Sequence, residues 1–231
     1  MIKSGTNWLG AFRRTKAYDV LAAAPLILWY FFGLRKQSPF ARLRLSELIA
    51  GTIDLLGMLH LIALTGSFVL TFLLVYSLIA RKIPELKSTG VLPRVVAVCG
   101  AFLGNGFLYL RAMQLSLGTQ VLADVLIIAG TTGSFVSVLG LGPSFSLMPE
   151  ARTLVTTGPY AVIRHPLYLA EVIGILGLVL QFQQPWALLL GAAVFATQYC
   201  RTVFEERVLS EAYPDYVAYR ARTWRFVPYL F

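Results

Sequence analysis

The chain has 231 residues, 57% of them apolar and 13% charged, whereas soluble domains carry about 25% charged and about 45–50% apolar residues. With a mean hydropathy of +0.70, this excludes a disordered chain, a collagen-like repeat and a disulfide scaffold, and makes the bilayer the main solvent. The net charge of +9 lies mostly beside apolar segments, so it reads as charge facing anionic membrane lipids and not as a nucleic-acid footprint. Cys99 and Cys200 sit in apolar runs, and the other soft ligands are His60 and His165; no metal site is expected.

Apolar runs lie near residues 18–34, 52–79, 92–110, 121–141, 166–182 and 185–203. A helix needs about 20 residues to cross a hydrocarbon core of about 30 Å. The first and fifth runs are therefore short, and the second is long enough to tilt. Lys3, Arg13, Arg14 and Lys16 before the first run imitate a signal peptide, but Ala22-Ala23-Ala24 precedes most of the apolar stretch, so a retained span is expected. A cytosolic C-terminus puts Arg81, Lys82, Lys87, Arg94, Arg152 and Arg164 inside and the uncharged Gln181–Gln184 turn outside, as the positive-inside rule asks. Arg35, Lys36, Arg42 and Arg44 then fall outside if six runs span; an interfacial or re-entrant first run would leave five. The expected fold is all-α: a polytopic membrane helix bundle of five or six spans with a cytosolic C-terminal amphipathic helix. Residues 1–120 would form N-terminal membrane helices without an assigned role, and residues 121–231 the chemical core.

Three clusters could carry chemistry. Gly142-Pro-Ser144-Phe-Ser146 leads to Thr157-Gly158-Pro159-Tyr160 and then to Arg164-His165-Pro166-Leu-Tyr168 at the start of an apolar helix. Pro166 suits the first helical position. Arg164, His165 and the free N–H groups of that helix end would converge on one small region fit for a carboxylate or phosphate. Tyr168, three residues on, can border the same pocket. Interfacial snorkelling and an aromatic belt explain these residues equally well. At the end of the last span, Glu205 and Glu206 are adjacent carboxylates on an otherwise apolar helix, which is costly without water, a cation or a ligand. Arg201 and Glu205 share a face, so a plain ion pair is the simplest account of them. In the tail, Tyr213, Tyr216 and Tyr219 recur at helical spacing with arginines between them, as in a helix lying on a membrane surface or a lid over a pocket.

From Ser144 to Pro228 the order S-F-S, T-G-P-Y, R-H-P-L-Y, a short apolar hairpin, E-E-x-x-L, Y-x-x-Y and W-R-F-V-P resembles the isoprenylcysteine carboxyl methyltransferase family and its relatives, the phospholipid amine methyltransferases. The resemblance covers roughly the C-terminal third. It implies an S-adenosylmethionine (SAM) enzyme whose cofactor is enclosed by the 142–165 loop, the last two helices and the tail. His165 and Tyr168 would contact the methionine moiety, Gly158 and Tyr160 would wall the pocket beside Arg164, and Glu205 and Glu206 would bind ribose, amino group or a pocket arginine. Where many members carry glycine after the R-H-P-x-Y tyrosine, this chain has Ala170-Glu171.

The chemistry expected is in-line displacement on the sulfonium methyl group, with the active site facing the cytosol and a lipophilic or lipidated acceptor entering from the bilayer. A carboxylate acceptor, the favoured one, needs a cation such as Arg201 to hold it. A thiol or amine needs a base, for which Glu171, Glu205 and Glu206 are candidates. An NADPH-dependent reductase of the sterol reductase type shares an R-H-P-x-Y-like stretch, and a membrane transporter would account for the polar residues Asp54, His60, Asn105 and Asp124 within the apolar runs.

Overall fold

The computed structural model describes Phe12 and residues 15–229; Lys3, Arg13 and Arg14 lie outside the described residues. From Lys16 onward the described residues form, in order, α1 (Lys16–Ile49), α2 (Leu55–Ala80), α3 (Leu92–Phe102), α4 (Leu117–Leu141), α5 (Pro166–Gln181), α6 (Trp186–Ala212) and the short α7 (Tyr216–Ala221). Five are long and apolar enough to cross a membrane: α1, α2, α3 with its 3-10 continuation to Tyr109, α4 and α6. The shorter α5 is apolar as well. The all-α membrane bundle is therefore the fold, and large side chains such as Leu28, Phe40, Phe72 and Leu188 stand exposed on it, as lipid-facing residues do.

The first run is not short. Its helix continues through Arg35, Lys36, Arg42 and Arg44 to Ile49, so the expected basic loop is helical. Leu, Arg, Lys and Gln are good helix formers; Pro39 lies inside the helix, where the Ser38 hydroxyl donates to the Arg35 carbonyl at 2.9 Å in place of the N–H that proline lacks, and Gly51, at φ +70°, closes the helix as glycine can. By length and apolar composition this helix can cross a membrane.

The starts of α1, α2 and α4 are capped by side chains. Thr15 accepts from the Tyr18 N–H at 3.3 Å, Asp54 from Gly57 at 2.7 Å and Ser116 from Thr119 at 3.3 Å, satisfying donors that a helix start leaves free. Asp54 is thus a cap. Asn105 donates to the Phe102 carbonyl at 3.0 Å. Asp124 lies 3.4 Å from His60 and accepts from Gln181 at 2.7 Å, tying α2, α4 and α5 together at the end of the bundle away from the 142–165 loop.

In lipid, helices associate through close backbone approach at small residues, and α4 and α5 do so. A Cβ placed on Gly130 would lie 2.4 Å from the Gly174 nitrogen, one on Gly133 2.9 Å from the Ala170 Cβ, and one on Gly177 2.5 Å from the Ala123 carbonyl oxygen. At the loop end, Leu78, Val138, Phe145, Ala23 and Leu26 form a buried cluster joining α1, α2 and α4. A two-residue ladder that sequence patterning does not reveal ties this loop to the α2–α3 connection: β1 (Leu86–Lys87) pairs antiparallel with β2 (Glu150–Ala151).

Candidate active site

α5 and α6 run side by side, so the start of one meets the last turns of the other. Pro166 opens α5 with His165 immediately before it. Gly158 holds φ +59° in the preceding turn, a conformation that favours glycine. The tail then lies along this junction: the Arg164 N–H donates to the Trp224 carbonyl at 2.7 Å and the His165 N–H to that of Arg225 at 3.2 Å.

His165 bridges the paired acids. Its Nε2 lies 3.2 Å from Glu206 Oε1 and its Nδ1 3.9 Å from Glu205 Oε2. Its ring stacks on that of Tyr168, centroids 5.7 Å apart, and the Tyr168 hydroxyl donates to Glu205. Glu206 also accepts from Arg164 at 2.9 Å and from Arg225 at 2.7 Å. The Arg201–Glu205 ion pair does not form among the described residues: Arg201 donates to Gln198 at 3.0 Å and to the Leu147 carbonyl at 3.2 Å. His165 is 5% exposed, which removes the snorkelling account of it.

Tyr160, Arg164, His165, Tyr168 and Glu205 line a single cavity, closed by Tyr216 and Tyr219 of the tail and by Ser144, Ser146 and Glu150 of the loop. Two of the expected pocket residues are not on its lining: Glu206 is engaged by three of the protein's own side chains, and Gly158 shapes only the turn that leads to Tyr160. The phenol oxygens of Tyr160 and Tyr216 are buried with no hydrogen-bond partner among the described residues, so this cavity offers two unspent donors. Burial holds the Tyr160 phenol well above its usual range and pushes Tyr219 up to about 12, so both stay protonated. Tyr219 donates to the Tyr160 carbonyl at 2.7 Å. The tail tyrosines Tyr216 and Tyr219 face inward, as a lid does, and not outward onto a membrane surface.

The other two predicted residues line a different space. A second cavity of about 290 Å³ lies deeper among the helices, walled by Tyr30, Leu70, Ile127, Ile175 and Val194, with Glu171, Gln198 and Arg201 among its lining. Gln198 Nε2 donates to Glu171 at 2.5 Å while its Oε1 accepts from Arg201, so one amide links the acid and the base. Leu167 lines both cavities. Tyr168 lies between them, its hydroxyl on Glu205 and the Arg201 guanidinium 4.6 Å from its ring centre.

Sequence reasoning missed three residues. Gln198 is a neutral amide in an apolar run and carries no motif. Asp19, in the first run, accepts from Arg81 Nε at 2.7 Å and from Arg152 at 2.9 Å, and Arg152 also meets Glu150 at 2.6 Å. Arg225 lies in the quoted tail pattern but took no assigned role. Only the interleaving of arginines with tail tyrosines hinted at it.

Residues 118–216 match the phospholipid methyltransferase family. The chain is 40% identical over 80 residues to the cobalt-zinc-cadmium resistance protein CzcN of Cupriavidus metallidurans, covering 34% of this chain and 37% of that protein. It is 38% identical over 82 residues to the nickel-cobalt-cadmium resistance protein NccN of Alcaligenes xylosoxydans xylosoxydans, covering 35% and 38%. It is 31% identical over 113 residues to the phosphatidylethanolamine N-methyltransferase of Mus musculus, covering 49% and 47%. The chain thus spans less than half the length of each of these relatives.

Proposed function

We infer that this chain, whose residues 118–216 carry a membrane methyltransferase domain of the phospholipid methyltransferase family, moves a methyl group from SAM to a lipophilic acceptor. SAM would occupy the cavity under the tail, and the acceptor the deeper apolar cavity. The observation that carries this reading is the placement of Tyr168 between the two spaces, with Glu205 on one side and Arg201 on the other. The isoprenylcysteine carboxyl methyltransferase subtype belongs to this proposal.

The lining suits a zwitterionic coenzyme. Arg164 offers positive charge for a carboxylate with the His165 ring beside it, Glu205 accepts from an amino group or ribose hydroxyl, and the unpartnered Tyr160 and Tyr216 phenols supply further donors. When bound, the coenzyme supplies an electrophilic sulfonium methyl group. The residues do the rest by binding, alignment and exclusion of water. Arg201 orients the polar head of the acceptor. Glu171, held by Gln198, takes the proton that a thiol or amine acceptor must lose as its new bond to carbon forms. A carboxylate acceptor loses no proton and pairs with Arg201 directly. Glu171 in the same cavity is the specific observation that favours a thiol or amine.

In this reading residues 121–231 form the catalytic core, and residues 1–120 complete the acceptor cavity through Tyr30, Leu70 and Gly100. The cofactor side faces the cytosol, because Lys82, Arg94, Arg164, Arg220 and Arg222 gather at that end. The test is a labelled-methyl assay of purified protein against lipophilic thiols, amines and carboxylic acids. Methylation of one class is expected. No product from any class, with NADPH consumed instead, would move the assignment to a reductase. Solute flux into liposomes without SAM would move it to a transporter.

A further inference from the structure

A third cavity, of about 550 Å³, takes no part in the proposed transfer. It lies in the cleft between the first turns of α1 and α3, lined along α1 by Tyr18, Ala22 and Leu26 and along α3 by Arg94, Val98 and Phe102. Its inner end is shut by Trp29 of α1 against Phe102 of α3, an edge-to-face contact with centroids 5.2 Å apart. Met148 and Glu150 line both this space and the cavity under the tail, so it opens at the cofactor end of the bundle.

The charges on its walls do not cancel. Asp19 is engaged by Arg81 and Arg152, and Glu150 by Arg152 at 2.6 Å and by the Ser146 hydroxyl at 3.0 Å. Two acids and two arginines thereby neutralise one another. Two cations remain on the rim. The Arg94 guanidinium makes no hydrogen bond or ion pair among the described residues, and Lys87 holds only a long ion pair to Glu150, at 3.9 Å, and a place over the Tyr18 ring, 6.0 Å from its centre. The buried Ser88 stands beside them on the lining. Below the rim the walls are apolar for about 12 Å, the rise of α3 from Arg94 to Phe102.

A cationic rim over a deep apolar slot at the level where a membrane helix begins matches one chemistry. We propose that this cleft binds an anionic phospholipid, its phosphate held by Lys87 and Arg94 and its upper acyl chain seated between Ala22, Leu26, Val98 and Phe102. A phosphate at this depth exchanges headgroup water for two cations, and the chain fills space that the helices leave open. A zwitterionic lipid gains less, since its own cation would meet the same rim.

The test reads lipid retention and not methyl transfer, so its outcome is independent of the proposed activity. Purified protein in detergent is incubated with equal amounts of phosphatidylglycerol and phosphatidylcholine, and bound lipid is counted by native mass spectrometry. One retained phosphatidylglycerol per chain is expected, preferred about tenfold, as about 1.4 kcal/mol of charge-assisted contact gives. The Lys87→Gln/Arg94→Gln double variant should lose that preference, whereas Arg35→Gln/Arg42→Gln, two exposed cations elsewhere on α1, should keep it. Val98→Trp, which fills the slot and leaves the rim charges in place, should also empty it. Equal retention of both lipids by the wild type, or equal loss in both double variants, would overturn the proposal. So would displacement of the lipid by millimolar inorganic phosphate, since that would leave the apolar slot without a role.

Discussion

The Arg201 guanidinium lies over the ring of Tyr168, 4.6 Å from its centre, while the hydroxyl of the same tyrosine donates to Glu205. One side chain therefore links a buried cation of the deeper cavity to a carboxylate of the cavity under the tail, and its two contacts can be removed separately. Tyr168→Phe keeps the ring under Arg201 and frees Glu205; Tyr168→Leu removes both contacts. Losing one charge-assisted hydrogen bond costs about 1.5–3 kcal/mol, so Tyr168→Phe should weaken S-adenosylhomocysteine binding about tenfold or more in a calorimetric titration. Tyr168→Leu should in addition raise the KM for the acceptor, as Arg201 loses its platform.

Glu206 is the node that fastens the tail to the junction, through Arg164, His165 and Arg225. Breaking one partner out of a buried charged group costs about 3–5 kcal/mol. Glu206→Gln should therefore lower the thermal midpoint by several degrees and expose the chain after Tyr213 to limited proteolysis. Glu205→Gln, whose carboxylate faces the cavity, should leave both nearly unchanged and act on cofactor affinity instead.

Asp19 does not line the cavity under the tail, yet it grips Arg152, which does. Asp19→Asn should loosen the loop around Glu150 and Arg152. The expected result is a several-fold fall in S-adenosylhomocysteine affinity, together with a stability loss of about 3 kcal/mol from the unpaired arginines. Titration and thermal denaturation of the same sample read both.

Close packing of α4 on α5 makes a sharp contrast between two glycines. Gly130→Ala puts a Cβ 2.4 Å from the Gly174 backbone and forces the helices apart, whereas Gly33→Ala meets nothing within 4 Å. Gly130→Ala should destabilise by about 1–3 kcal/mol, the usual cost of overpacking. Gly33→Ala should stabilise α1 by up to about 1 kcal/mol, the helix-propensity difference. Thermal midpoints of the two variants check this.

The legible parts of the site were those written within one turn of helix. Arg164, His165, Pro166 and Tyr168 define a helix start by themselves, and Glu205 with Glu206 is conspicuous because acids on an apolar helix are costly. Bringing the two together needed the resemblance, since nothing local says that α5 and α6 are neighbours. Asp19 was illegible for the same reason: its partner Arg152 lies 133 residues away. Gln198 bridges Glu171 and Arg201 with an uncharged group that raises no alarm in an apolar run. The continuation of α1 past Leu34 was masked by its arginines and by Pro39, which read as a loop although the helix carries them within it. The β1–β2 ladder is too short for any alternation to show.

His165 and Glu205 border one cavity, and the proposed transfer requires that it hold a sulfonium coenzyme. Calorimetric titration of purified protein with SAM, beside NADPH and beside the His165→Ala variant, tests it most directly. One molecule of SAM per chain should bind, NADPH should not, and His165→Ala should weaken SAM at least tenfold. Absence of SAM binding by the wild type, or equal affinity in the variant, would contradict the account.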